Sequence, residues 1–164
     1  MIREIRRQNR ALPEAEAREI LARAEHGVLA TVGTDGWPYA VPLNHVLIDN
    51  AIYAHCARKG HKLDNIAHEA RVSYCAVAKA TVSPAGFTCH YESAILYGRA
   101  ELVADEEERV RVLRLLTERF SDPGAEDFEN HFAEHMRLHG RGAAMIRIEI
   151  EHITGKAHRS ASAA

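Results

Sequence analysis

The stretch with the most to offer chemically is His55 to Ile66, HCARKGHKLDNI. It runs from the end of an apolar segment into the start of a short helix. Between the two sit Arg58, Lys59, Gly60, His61 and Lys62. A helix start leaves its first backbone N–H groups without intrahelical partners and carries positive partial charge, so it attracts anions. Gly60 permits backbone conformations and a close approach that a Cβ would obstruct. The pattern predicts that this turn holds the phosphate of a cofactor. The competing reading is a basic surface turn on an ordinary helix cap.

Other residue types deserve the same question. Histidine is unusually frequent, with eleven copies. His131, Glu134, His135 and His139 include the string HFAEH, which fits the H-x-x-E-H pattern of one zinc-peptidase class. A spacing of four puts His131 and His135 on one helical face, as metal ligation requires. Too little chain follows to supply a further ligand helix, so a solvated polar face is expected and no metal is assigned. His55 sits on a strand, either as a donor or acid beside a ligand or as a satisfied wall residue. His61 is a phosphate donor or a solvated first-turn residue. His45 is left open between the site and solvent. Trp37, the single tryptophan, reads as core or interface packing. Cys56, Cys75 and Cys89 contain no CxxC pair, and their number is odd. That argues against a disulfide framework and fits a reducing cytoplasm. Cys56 reads as inert packing rather than a nucleophile.

The bulk numbers narrow the class. The chain has 164 residues, 46% hydrophobic and 27% charged, which suits one domain with a sizeable core. A net charge of −2 gives no global field for nucleic acid or an anionic membrane. No apolar run approaches a membrane span, and MIREIRRQNR lacks the apolar core of a signal peptide. A cytoplasmic location is therefore expected.

The elements that must position these residues follow from periodicity and turn chemistry. Pro13 to His26 reads as a helix, with proline and acids early and Gly27 as its stop. Gly27 to Gly33 is a strand, and Thr34-Asp35-Gly36 a turn. Trp37 to Ile48 reads as one longer strand whose Pro38 and Pro42 imply an edge or a bulge. Ala51 to Ala57 is the next strand. His61 to Ala70 is a helix with Leu63, Ile66, Ala67 and Ala70 as one stripe. Val72 to Lys79 is a strand, Ala80 to Thr88 a loop, and Tyr91 to Ala104 a long strand bulged at Gly98. Asp105 to Phe120 is a helix opened by Asp105 and Glu108 in the manner of a capping box. Ser121 to Gly124 breaks the chain, and Glu126 to Leu138 is a polar helix with a thin apolar side. Met145 to Ile153 alternates as a half-exposed strand, and the tail from Lys156 reads as disordered. Six strands without regular βαβ alternation favour a mainly β, α+β fold: an antiparallel barrel with peripheral helices. The domain is placed at residues 13–156, with an arm at 1–12 and a flexible tail at 157–164.

The segments GVLATVGTDGWPYAVPLNHV, IYAHCARKGHKLDNI, VSYCAV, YESAILYGRAELV and IRIEIEHITGK, in this order and spacing, resemble the pyridoxamine 5′-phosphate oxidase-like, FMN-binding split-barrel proteins. Within them the nitroimidazole-resistance branch is the most similar group. The resemblance spans residues 3–156, and PYAVPLN and HCAxxGHKLDNI are its most specific parts. It implies a six-stranded antiparallel split β-barrel and a homodimer with two FMN sites at the subunit interface. It also implies the contacts. Val41, Pro42, Leu43 and Asn44 would follow the isoalloxazine edge. His55, Cys56 and Ala57 would lie near the ring and ribityl chain. Gly60, His61 and Lys62 would bind the phosphate, with Asn65 nearby. Tyr91, Glu92 and Ser93 would close the site. The implied activity is reductive, from a reduced nicotinamide or another donor to a small acceptor such as a nitroaromatic or nitroimidazole compound, with His55 as the candidate catalytic group. The chain has no GxGxxG fingerprint, so a nicotinamide would dock transiently. A deazaflavin-dependent reductase, a haem-binding relative and a non-enzymatic flavin-binding protein are the alternatives.

Overall fold

The prolines of Trp37 to Ile48 mark the rim of a rolled sheet. The structure, a computed structural model, describes residues 2–122 and 127–160. Among these the elements run β1 (Ala11–Leu12), α1 (Glu14–Arg23), β2 (His26–Val32), β3 (Pro38–Asn44), β4 (Val46–Ile48), β5 (Ala51–Ala57), α2 (His61–His68), β6 (Arg71–Ser83), β7 (Thr88–Leu102), α3 (Glu106–Phe120), α4 (Phe128–His139) and β8 (Ala143–His158). The strands form one antiparallel sheet in the order β3-β2-β6-β7-β8-β5-β4, with β1 beside β8. Its two outer strands, β3 and β4, are separated in the chain by His45 alone. Consecutive Cα atoms lie about 3.8 Å apart, so the two rims must come together and the sheet must roll. Because β3 and β4 do not pair, the cylinder stays open along that seam: a split barrel.

His45 stands at the seam and is fully buried. Its Nε2 lies 2.8 Å from the Leu21 carbonyl oxygen, which can only accept, so that nitrogen carries the proton. Its Nδ1 lies 3.0 Å from the Tyr74 hydroxyl, whose single proton is shared between that nitrogen and the Leu43 carbonyl oxygen at 2.7 Å. One imidazole thus ties the seam to α1 and, through Tyr74, to β6. Burial pushes the His45 pKa down to about 4, so the ring is neutral near neutrality.

Two apolar clusters hold the walls. The larger joins α1 (Ala17, Ile20, Leu21) to the barrel interior, including Leu29, Ile52, Tyr74, Leu96, Ile146 and Ile148. A fully buried Leu or Ile contributes about 1.5–3 kcal/mol, and Ile20 and Leu21 are both fully buried. The smaller packs Val112 and Leu116 of α3 onto Ala51, Tyr53 and Met145, the other face of β5 and β8. Residues 51–54 are consequently buried in succession, without alternation. The Asp105 side chain accepts from the Glu108 amide at 2.8 Å and caps α3.

Most expected elements are present, with corrections. The barrel has eight strands where six were expected. The single strand over 37–48 is interrupted because His45 turns inward, and residues 11–12 of the expected arm pair with Lys156 and Gly155. The expected loop over 80–88 is mostly hairpin: β6 continues to Ser83, Phe87 takes φ 47° in the turn, and β7 starts at Thr88. β8 continues to His158 because β7 is long enough to pair with it, so Lys156 does not begin a disordered tail. The first and second helices end earlier, at Arg23 and His68. The break expected at Ser121 to Gly124 runs into residues 123–126, and residues 161–164 of the tail lie outside the described part as well. The bulge falls where expected, between Tyr97 and Gly98. A Cβ on Gly98 would sit 1.9 Å from the Glu149 carbonyl oxygen, so that position admits glycine alone.

The buried histidine predicts a pH dependence. Its folded pKa lies below the unfolded value of 6.5, so between pH 6.5 and 4 the unfolded chain binds the extra proton. The contribution is whole above pH 6.5 and lost as pH falls toward 4. It amounts to up to about 3 kcal/mol. Urea unfolding at several pH values should show a steeper loss for the native chain than for His45→Gln across this window. Parallel slopes for the two proteins would contradict it.

Candidate functional site

β5 delivers the chain to the cationic turn. His55 is exposed, Cys56 half-buried and Ala57 exposed, paired across to Met145, Ala144 and Ala143 of β8. The chain then turns at Gly60, whose φ of 133° and ψ of 166° belong to glycine territory. A Cβ there would have no heavy atom within 4 Å and would protrude into open space at the mouth of α2. The Leu63 and Asp64 amides donate to the Gly60 carbonyl at 2.8 and 3.3 Å. The amides of His61 and Lys62 precede this ladder and have no intrahelical acceptor.

Three cations, Arg58, Lys59 and Lys62, cluster around this helix start. Among the described residues nine arginines form ion pairs, including Arg23, Arg109, Arg147 and Arg159. Arg58, Lys59 and Lys62 take part in none among the described residues. The His61 ring rests against Tyr39 of β3, with centroids 4.2 Å apart. Lys62 favours the thiolate of Cys56, but burial outweighs it and raises the thiol above its ordinary pKa. Burial thus disfavours the thiolate of Cys56.

Beside the turn lies a cavity of about 720 Å³. One wall is Asn44 with His55, Cys56 and Ala57. The opposite wall is Leu113, Leu116, Thr117 and Phe120 of α3 with Phe132, His135 and Met136 of α4. Volume and lining match a small-molecule site, apolar with a few polar groups. The Arg114 guanidinium lies over the Phe128 and Phe132 rings and secures α4 to α3. The helical wall was not foreseen. Its trace in the sequence is the four-residue spacing of Phe128, Phe132 and Met136, the thin apolar side of the polar helix.

The remaining expected residues divide. Val41 and Leu43 of β3 pack on the core, while Pro42 and Asn44 face outward on a strand with one partner. Asn44 Nδ2 donates to the Glu25 carbonyl at 2.9 Å. Asn65, expected near the phosphate, is buried and donates to Thr31 Oγ1 at 3.0 Å, clamping α2 to β2. Tyr91, Glu92 and Ser93 do not join this cavity within the chain. Tyr91 and Glu92 line a separate pocket, because β7 carries them to the far end of the sheet. The Glu92 carboxylate is held by Arg23 and Arg159 at 2.8 and 2.7 Å, which lowers its pKa, and Ser93 Oγ donates to the Lys156 carbonyl. His45 faces neither site nor solvent, since it closes the seam. Trp37 is 74% exposed, so it is not a core residue. His131 and His135 are exposed on α4, and the side chain of His139 lies outside the described part. Among the described residues no group of three His, Cys, Asp or Glu is placed to hold a metal ion.

Comparison with known proteins places this geometry. The family model described as pyridoxamine 5′-phosphate oxidase matches residues 13–157, and the chain belongs to that family. No curated protein matches. Among solved structures, one similar fold is a conserved hypothetical protein of Mycobacterium tuberculosis, 24% identical, covering 95% of this chain and 91% of that one, TM-score 0.76. A second is a candidate 5-nitroimidazole antibiotic resistance protein of Bacteroides thetaiotaomicron, 17% identical over 89% of this chain and 85% of that one, TM-score 0.70. A third is an FAD and haem binding protein of Mycobacterium smegmatis, 23% identical over 90% and 72%, TM-score 0.71. At these identities the likeness establishes the split-barrel fold. No described helix is long and apolar enough to cross a membrane.

The two roles at α2 separate by substitution. Lys62→Ala removes no hydrogen bond or ion pair and should leave the urea midpoint within about 0.5 kcal/mol of the native value. Asn65→Ala removes the donor to the buried Thr31 hydroxyl, which keeps only its 3.5 Å bond to the Tyr39 carbonyl, and should cost about 1–3 kcal/mol. Equal destabilisation by both would mean that Lys62 is structural.

Proposed function

We propose that the protein binds FMN and acts as a reductase of small acceptors. The observation that carries this is the trio of unpaired cations around Gly60, set beside a large apolar cavity. Unpaired cations at an open helix start suit a phosphate, and an apolar slot suits a flat ring system. Family membership and neighbours described as FAD-binding proteins support a flavin as the ligand.

The residues present fit the group. The amides of His61 and Lys62 and the Lys62 ammonium would hold the phosphate, and Gly60 would let it approach the backbone. The outward edge of β3, from Val41 through Pro42 and Leu43 to Asn44, offers main-chain groups that no neighbouring strand claims. Cys56 and Ala57 would pack against the ligand. His55, exposed on the cavity wall, would present an imidazole N–H to the acceptor. Phe120, Phe132 and Met136 would exclude water from the cavity. A bound FMN supplies two-electron redox chemistry, here from a reduced nicotinamide to a nitroaromatic or nitroimidazole acceptor.

The proposal includes a homodimer. The register aligns Pro42, Val28, Cys75 and Ile95 across four adjacent strands, and Val28 and Ile95 are more than a third exposed. A second copy covering this apolar row would bury it. Haem is a second reading for the cavity, favoured by His55 and His135 on facing walls.

The visible spectrum of the purified protein, before and after adding FMN, tests this. A two-banded flavin spectrum with quenched fluorescence is expected, with Lys62→Ala binding FMN about 10- to 100-fold more weakly. Flavin-dependent oxidation of reduced nicotinamide in the presence of a nitroimidazole would establish the reductase, and His55→Ala should slow it. A Soret band would select haem. Undiminished FMN affinity in Lys62→Ala would sink the phosphate assignment.

A further inference from the structure

A second polar pocket lies away from the cavity, at the far end of the sheet. It is about 320 Å³, and its walls include Arg23, Lys79, Glu92, His90, His158 and Arg159. The register of β6 and β7 builds it. A bulge between Val77 and Lys79 shifts the pairing, after which Lys79 faces Glu92 and Thr81 faces His90. Directly paired residues share a sheet face, and so do residues two apart on one strand. Lys79, Thr81, His90 and Glu92 therefore point the same way, while α1 and the end of β8 bring in Arg23 and Arg159.

Glu92 organises the pocket rather than serving as its free acid. Arg23 Nη2 and Arg159 Nε hold its two carboxylate oxygens. Arg159 is fixed further by Glu16 at 3.0 Å. Two guanidiniums are thus locked in place with further N–H donors left over. Lys79 forms no ion pair or side-chain hydrogen bond among the described residues. His90 Nδ1 is buried without a hydrogen-bond partner, and a buried polar atom left without one calls for a ligand or water. The His158 ring lies 5.0 Å from that of His90, and its Nδ1 donates to the Cys89 carbonyl at 2.9 Å. Three cations and two imidazoles therefore meet two carboxylates, Glu92 and Glu16, which leaves one positive charge in excess.

We infer that this pocket binds the oxyanion group of a small molecule, a carboxylate or a phosphate monoester. Lys79 supplies the point charge, the fixed guanidiniums of Arg23 and Arg159 supply planar donors, and His90 supplies the buried N–H. The site is separate from the cationic turn at Gly60.

The test is calorimetric titration of the full chain at low salt with inorganic phosphate and, separately, with succinate. Imidazole resonances are followed by NMR, and both titrations are repeated with saturating FMN. Saturable binding of at least one anion is expected, and whichever binds identifies the group. Lys79→Gln should weaken it at least about tenfold, since a charge-assisted contact is lost. The resonances of His90 and His158 should move while those of His55 and His61 stay. His90→Gln, which keeps a side-chain donor, should bind more tightly than His90→Leu. The readout does not require flavin binding, so the two readings can fail independently. Absence of saturation with both anions, unchanged affinity in Lys79→Gln, or movement of His61 with displacement of FMN would overturn the assignment.

Discussion

The fold depends on closing a seam that no strand pairing closes. β3 and β4 are the two rims of the sheet and neighbours in the chain, so residue 45 must both carry the chain from one rim to the other and hold the rims together. A neutral imidazole can do this in a dry setting, because its two nitrogens serve different partners with one proton. His45 gives that proton to the α1 carbonyl of Leu21 and turns its other nitrogen to Tyr74. Tyr74 reaches the β3 backbone at Leu43. An apolar residue at position 45 would leave those buried polar groups unpaired, and a charged one would face the burial that depresses this histidine.

The open seam has a functional consequence. A completed barrel would satisfy the β3 edge by pairing it. Here the edge remains available, Pro42 removes one donor from it, and β5 ends beside it at His55 to Ala57. The cationic turn follows immediately. Among the described residues Arg58, Lys59 and Lys62 form no ion pair. Concentrating unmatched cations at a helix start disfavours the empty state and favours an anion bound there. The α3–α4 pair covers the adjacent cavity, held to the barrel by Val112 and Leu116 and to each other by Arg114 over two phenyl rings.

Much of this was legible from residue types. The glycine at 60, the lysine at 62 and the stripe Leu63, Ile66 defined a helix start with an anion-ready mouth. The bulge at Gly98 and the cap at Asp105 were local signatures and appear as such. The partners of Asn65 and Glu92 within the chain were not legible. Each has a side chain that a ligand could use, but Asn65 is bonded to Thr31 and Glu92 to two arginines, 34 and 69 or 67 positions away in sequence. Trp37 read as core or interface; it is exposed within the chain and so not core, because it sits in the turn that leads into a rim strand.

By itself the sequence determined the local elements, the cationic turn and the family pattern, because helix starts, turns and strand alternation are governed by neighbours a few residues apart. Tertiary structure alone decided that His45 is a seam residue, that α4 faces β5 across a cavity, and that within one chain Tyr91 and Glu92 line a different pocket from the one beside Gly60. Those facts depend on which distant chain segments share the same low-dielectric space, where a buried donor must find an acceptor wherever the fold provides one.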